Sequence, residues 1–217
     1  MKKELILSKV DHTLLKPTAT NEDIDRLCDE AVEFKTASVC VPPCYVKRCA
    51  KKLKGTDVKV CTVIGFPLGY STIKTKIFET KQALKDGADE IDMVININDV
   101  MNEKYEIIRD EIFEIKQACK DKILKVIIET CYLNKMQKEN LCRCVAEAKA
   151  DYIKTSTGFG TAGATLEDVR LFKRCLKNTN VKIKAAGGIH TKEFMEALIK
   201  AGADRLGCSS AVTALKI

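Results

Sequence analysis

Three side chains stand out because their types are costly where they fall. Asp92 lies in EIDMV, Lys154 in YIKTST and Lys184 in VKIKAAGG, each inside a short run of aliphatic and β-branched residues. A carboxylate or an ammonium in such a run is expensive to bury unless it is paired or employed. Burial disfavours the charged form of a lysine, and a second ammonium nearby disfavours it further. Lys154 with Lys184 as its neighbour is therefore predicted to be an amine that gives up its proton readily. An unprotonated amine attacks carbonyl carbons and forms a Schiff base. The resulting iminium withdraws electrons, so a C–C bond beside it can break or form, with a carboxylate such as Asp92 moving protons directly or through a water. A structural ion pair, or phosphate binding by either lysine, uses the same residue types, and spacing alone does not separate these readings. Lys182 shares the parity of Lys184 and is placed at an open end of the fold, or else on a bulge.

Elements that could hold these groups alternate along the whole chain. Strand-like runs fall at 9–15, 37–42, 58–67, 90–96, 123–130, 151–157, 181–188 and 204–210, with amphipathic stretches such as NEDIDRLCDEAVEF and TLEDVRLFKRCL between them. Near-continuous apolar strands covered by helices imply a parallel sheet. Eight such units in 217 residues, with no linker, predict a single-domain (β/α)8 TIM barrel over residues 1–217. An internal echo supports this. GADEID (87–92), KADYIK (149–154) and GADRLG (202–207) read as one helix-exit and strand-entry turn used three times. Aligning them sets Asp92, Lys154 and Gly207 at equivalent heights, and the period of two points all three to one face. That height is near the strand C-termini, where barrel active sites lie.

The stretch GFGTAG (158–163) matches the glycine fingerprint of dinucleotide-binding folds letter for letter. A working fingerprint opens its helix within the glycines and has an acidic residue about 20 positions on. Here the helix start is better placed after Thr165, which with Asp168 resembles a capping pair, and the next strand ends in AAGG without an acid. The glycines are read instead as room for a loop to approach a ligand.

Loops after strands seven and eight of barrels commonly hold phosphates. Here they contain Gly187-Gly188 and Gly207-Cys208-Ser209-Ser210, with Gly158 as a near wall. Cys40, Asp11 and Thr13 fall near the ends of strands two and one, and Glu129 at the end of strand five, where it could orient other groups. His12 alternates with Asp11 and Thr13, so it should face the helices, and His190 should lie on the surface.

Composition narrows the classes. The hydrophobic share of 46% suffices for a full core, and no apolar run approaches the roughly 18 residues of a membrane span. The start, MKKELILSKVDHTLL, is broken by charge too early for a secretory signal, so a cytoplasmic location is expected. The 11 cysteines are scattered, without zinc-ligand spacing, and are read as reduced thiols packed as small hydrophobes; no metal is expected. A net charge of +7 without a basic run gives no support to nucleic-acid binding and suits a small anionic substrate.

Taken together, DHTLLKPTAT, ASVCVPP, VCTVIGFPLG, GADEIDMVINI, LKVIIET, YIKTSTGFGTAGAT, VKIKAAGGI and LGCSS closely resemble the deoxyribose-phosphate aldolase family, with matching segments on all eight strands. The resemblance implies a class I aldolase that needs no metal or organic cofactor. Its reaction is the reversible cleavage of 2-deoxy-D-ribose 5-phosphate to acetaldehyde and D-glyceraldehyde 3-phosphate, in deoxyribonucleoside catabolism. It implies that Lys154 forms the Schiff base, that Lys184 perturbs it and joins the proton relay, and that Asp92 is the acid/base carboxylate. Gly158, Gly187, Gly188, Ser209 and Ser210 match the phosphate-holding positions, with Gly207 in the same loop, and Cys40, Asp11 and Thr13 match residues lining the pocket. Barrels of this type often pair, so a homodimer is expected. Some members carry a C-terminal tyrosine that assists proton transfer; this sequence ends ALKI without one. Rival readings are another Schiff-base barrel acting on a different sugar phosphate, as transaldolases do, and a catalytically silent barrel that binds a phosphorylated metabolite or nucleic acid.

Overall fold

The computed structural model describes residues 1–215; Lys216 and Ile217, the end of the tail that lacks the tyrosine, lie outside the described residues. Eight parallel strands close into a barrel in chain order. They are β1 (Val10–Thr13), β2 (Ser38–Val41), β3 (Lys59–Ile64), β4 (Glu90–Val94), β5 (Ile123–Ile127), β6 (Tyr152–Lys154), β7 (Lys182–Ala186) and β8 (Arg205–Cys208). The TIM barrel anticipated from the alternating pattern is therefore present. Its strands are shorter than the predicted runs, because polar ends such as TST after Lys154 leave the ladder and become loops.

Helix α1 (Lys3–Leu7) precedes the barrel. The outer ring comprises α2 (Asn21–Glu33), α3 (Val46–Lys52), α4 (Ile73–Lys85), α5 (Ile97–Met101), α6 (Tyr105–Cys119), α7 (Lys135–Glu147), α8 (Leu166–Cys175), α9 (Lys192–Ala201) and α10 (Ala211–Leu215). Their starts are encoded locally. Thr20 with Asp23 and Asn134 with Gln137 form reciprocal capping boxes, while Thr72, Thr165 and Thr191 each accept a backbone N–H from the first turn. Outward strand residues such as Ile91, Val126, Ile153 and Leu206 pack against Ile112, Leu141, Phe172 and Leu198 in one continuous apolar shell. His12 also points outward, with Nε2 2.7 Å from Glu30 Oε2 on α2. Among the described residues, no helix is long and apolar enough to cross a membrane.

The triple echo has a physical explanation. In each copy the chain leaves a helix in the left-handed region, at Gly87 (φ +107°), Lys149 (φ +58°) and Gly202 (φ +124°). The aspartate two residues on then accepts a backbone N–H from the preceding strand. Asp89 takes Val60 N (3.1 Å), Asp151 takes Leu124 N (2.8 Å) and Asp204 takes Ile183 N (2.9 Å). These carboxylates close the lower rim of the barrel.

Strand stagger determines which residues meet inside. Asp92 lies opposite Lys125 on β5, whereas Lys154 lies opposite Ile127, two residues further on. The same two-residue advance recurs every two strands around the barrel, and it stacks the inward residues in three layers of four. The lowest holds Ser38, Glu90, Tyr152 and Arg205. The middle holds Asp11, Cys61, Lys125 and Lys184. The top holds Cys40, Asp92, Lys154 and Gly207, so the three echo positions do share one height.

Asp204→Ala would leave the Ile183 N–H at the barrel rim without its acceptor. Unfolding in urea is expected to show a loss of about 1–3 kcal/mol with an unchanged slope.

Candidate active site

The interior of most barrels is filled by branched aliphatics; here an ion network runs through all three layers. Asp92 is fully buried on β4. Its Oδ2 accepts from Lys154 Nζ (2.8 Å) and Lys184 Nζ (2.6 Å), and its Oδ1 from Lys125 Nζ (2.8 Å). Lys184 also reaches Asp11 Oδ2 at 2.5 Å, and Lys125 reaches Glu90 Oε2 at 2.6 Å. Below them Arg205 Nη1 donates to Asp11 Oδ1 (2.5 Å) and lies 3.2 Å from Glu90 Oε2. Ser38 Oγ donates to Asp11 Oδ1 at 2.7 Å.

Burial would by itself push the Asp92 carboxyl up, but Lys125, Lys154 and Lys184 outweigh it and hold the group well below the usual carboxylate range. Asp11 is likewise lowered, with Lys184, Lys125 and Arg205 overcoming burial. Burial works against the charge on Lys184, and Asp11 and Asp92 more than restore it, so its value is raised. Lys125 is raised against the same burial, chiefly by Asp92. The expected lysine neighbours, Lys154 and Lys184, are brought together, and a shared carboxylate oxygen stands between them.

Of the three barrel lysines, Lys154 alone borders the cavity at the C-terminal mouth, about 310 Å³ in volume. Thr13, Gly158, Gly187, Gly188, Gly207 and Ser209 border it too, as expected, together with Lys16, Thr157, Phe159 and His190. Other expected positions fall elsewhere. Asp11 is sealed in the middle layer beneath Lys154, and Cys40 is buried in the top layer away from the cavity. Neither lines the cavity wall. Ser210 borders an adjoining hollow, and its hydroxyl donates to the Ile189 carbonyl at 3.2 Å. Lys182 is exposed at the lower end, 5.8 Å from the Tyr152 ring centroid.

The glycines of GFGTAG serve loop packing. A Cβ on Gly163 would lie 2.2 Å from the Gly187 carbonyl oxygen, and Ala164 N donates to that oxygen at 3.1 Å. The loop after β6 is thus pressed onto the loop after β7, and α8 starts only at Leu166, too late for a nucleotide fingerprint. The Asp168 carboxylate does not complete a capping box; it pairs with Lys138 at 2.6 Å. Glu129, in the left-handed region at φ +51°, accepts from Thr157 N (3.1 Å) and from the Thr157 hydroxyl, which fixes the loop above Lys154. Phe159 meets Phe66 edge-to-face across the mouth, with ring centroids 5.3 Å apart.

Lys125, Glu90, Arg205 and Cys61 were not anticipated as inward groups. Period-two alternation carried the signal, since Glu90 has the parity of Asp92 and Arg205 that of Gly207. The sets Cys40–Cys61–Asp92 and Asp11–Cys61–Glu90 each gather three donor atoms within 4.8 Å, as a metal would need. Lys125 Nζ already sits 3.1 Å from Cys61 Sγ, 2.8 Å from Asp92 and 2.6 Å from Glu90, and so supplies a positive charge at both sets.

Residues 5–216 match the model of the DeoC/LacD family aldolases. The chain belongs to that family. It is 58% identical over 211 residues to deoxyribose-phosphate aldolases of Clostridium botulinum (strain Eklund 17B) and Clostridioides difficile (strain 630), covering 97% of this chain and 95% of each relative. A solved tetrameric deoxyribose phosphate aldolase from Aeropyrum pernix superposes with a TM-score of 0.92 at 32% identity, over 99% of this chain and 91% of that one. The expected family and the enzyme class, a carbon–carbon lyase, are therefore established.

A carboxyl held below its ordinary value stabilises the fold above about pH 4 and ceases to do so as pH falls towards the folded value. Asp11 and Asp92 place this loss on the acid side. Calorimetry between about pH 5 and pH 2 is expected to show a falling thermal midpoint, with a shallower fall in Asp11→Asn.

Proposed function

We propose that this aldolase cleaves 2-deoxy-D-ribose 5-phosphate reversibly to acetaldehyde and D-glyceraldehyde 3-phosphate through a Schiff base on Lys154. The observation that carries the reading is the placement of Lys154 at the cavity floor, 2.8 Å from a carboxylate that Lys184 also holds. The names of the relatives, at 58% identity, support the substrate.

The unprotonated Lys154 amine attacks the C1 aldehyde of the open-chain sugar, and loss of water gives the iminium. Removal of the C3 hydroxyl proton breaks the C2–C3 bond. The electron pair moves into the iminium, giving an enamine and releasing D-glyceraldehyde 3-phosphate. Protonation at C2 and hydrolysis free acetaldehyde and return the amine. Asp92, with Lys184 and an intervening water, moves these protons. Gly158, Gly187, Gly188, Gly207, Ser209 and Ser210 hold the phosphate through backbone N–H and hydroxyl groups, with Lys16 adding charge at the rim. Thr13 lines the sugar site, while Asp11 and Cys40 act from beneath it. The whole chain works as one domain, without metal or organic cofactor, pairs as a homodimer and serves deoxyribonucleoside catabolism in the cytoplasm.

Borohydride reduction in the presence of the sugar phosphate, followed by peptide mass mapping, is expected to place the adduct on Lys154 and to lose it in Lys154→Ala. An adduct on another residue, or none, defeats the assignment. Lys184→Leu is expected to lower kcat at least tenfold and to move the acid limb of the pH–rate profile to higher pH, since removing a neighbouring cation favours the protonated amine. Asp92→Asn should slow turnover and leave phosphate affinity nearly intact, which inhibition by inorganic phosphate measures.

A further inference from the structure

The lowest layer of the barrel has no contact with the mouth cavity, yet it is charged. Among the described residues, the ion pairs of the interior join three carboxylates, Asp11, Glu90 and Asp92, to four basic side chains, Lys125, Lys154, Lys184 and Arg205. With every group ionised, the cluster carries one positive charge in excess. An excess charge in a water-poor interior is costly, and loss of a proton removes it.

The contacts show where that loss is cheapest. Lys125 touches Asp11, Glu90 and Asp92; Lys184 touches Asp11 and Asp92; Arg205 touches Asp11 and Glu90. An arginine does not deprotonate in proteins. Lys154 has one carboxylate partner, Asp92, whose same oxygen also serves Lys184, and it alone of the four opens to the cavity. We infer that Glu90 and Arg205 are positioning residues that set the charge balance of the barrel interior, so that the surplus proton leaves from Lys154. This rests on the Schiff-base role proposed for that lysine.

The remaining neighbours lie outside these ion pairs. The Cys61 thiol of the middle layer is pushed up by burial and by Cys40, so it stays neutral, and the Cys40 thiol of the top layer is lowered, chiefly by Cys61. The Arg205 guanidinium carbon lies 5.6 Å from the Tyr152 ring centroid, and Nζ of the exposed Lys182 lies 5.8 Å from it. Glu129 is engaged by Thr157 at the mouth, and Lys16 sits exposed at its rim.

The balance makes two opposite shifts from two residues that touch each other. Removing Arg205 gives three carboxylates against three cations, which favours a protonated Lys154. Removing the Glu90 charge gives two against four, which favours the free amine. In Arg205→Met the acid limb of kcat/KM for cleavage of 2-deoxy-D-ribose 5-phosphate is expected to move about one unit to higher pH, and in Glu90→Gln about one unit lower. Arg205→Lys keeps the charge and should leave the limb in place. Loss of packing alone would lower both rates without moving the limbs apart, so limbs that stay fixed or move together overturn the inference. Asp11 keeps Ser38 and Lys184 in Arg205→Met, and Glu90 keeps Lys125. Should that variant still fail to fold, the limb in Glu90→Gln decides. Borohydride trapping on the unaltered protein separates the two failures. No adduct on Lys154 sinks the Schiff-base reading, whereas an adduct with unmoved limbs sinks only the charge balance.

Discussion

A single carboxylate, Asp92, shared by three ammonium groups organises the interior of this barrel. Its two oxygens hold Lys125, Lys154 and Lys184 at 2.6–2.8 Å, and all four residues are buried. Three lysines cannot be enclosed together without counter-charge, and three carboxylates cannot be enclosed without cations. Each sign is therefore the condition for the other, and the network is held by mutual need as much as by shape. Lys154 is the least compensated member and the one that meets the cavity, so the resting structure already distinguishes it from Lys125 and Lys184.

That network depends on strand stagger. Residues that are neighbours along the hydrogen-bond ladder are not the ones that share a height; each step of two strands advances the register by two residues. The advance brings Lys184 level with Lys125 and Asp11, and Lys154 level with Asp92. Gly207 completes the top layer because a Cβ there would lie 3.1 Å from Lys184 Cε and 2.9 Å from the Ala186 Cβ. The empty side-chain position is what lets Lys184 extend towards Asp92.

Above the network, the loops are fitted to one another backbone to backbone. Gly163 against Gly187, and Glu129 against Thr157, hold the segment after β6 over the cavity floor. A glycine pattern that matches a nucleotide fingerprint by letters thus acts as loop contact, and the helix behind it opens too late to meet a ligand with its first turn.

Much of this was legible in the sequence. Alternating apolar runs and amphipathic stretches specified the eight-unit barrel, the cap at Thr165 specified the start of α8, and the thrice-used turn aligned Asp92, Lys154 and Gly207. These are local signals, carried by periodicity and by hydrogen bonds within a few residues. The partners of Asp92 were only half legible. Lys184 was found through its motif, whereas Lys125, Glu90 and Arg205 were passed over although their parity pointed inward. Contacts such as Arg205 with Asp11 join residues 194 apart in the chain. They exist only once the barrel closes and its stagger sets which side chains share a layer. The same closure sealed Asp11 and Cys40 below the cavity and turned Ser210 towards Ile189. Sequence alone determined which residues carry the charges and the fold that encloses them; only tertiary structure decided how four cations and three carboxylates are paired, because that depends on heights and distances across the barrel that no local pattern encodes.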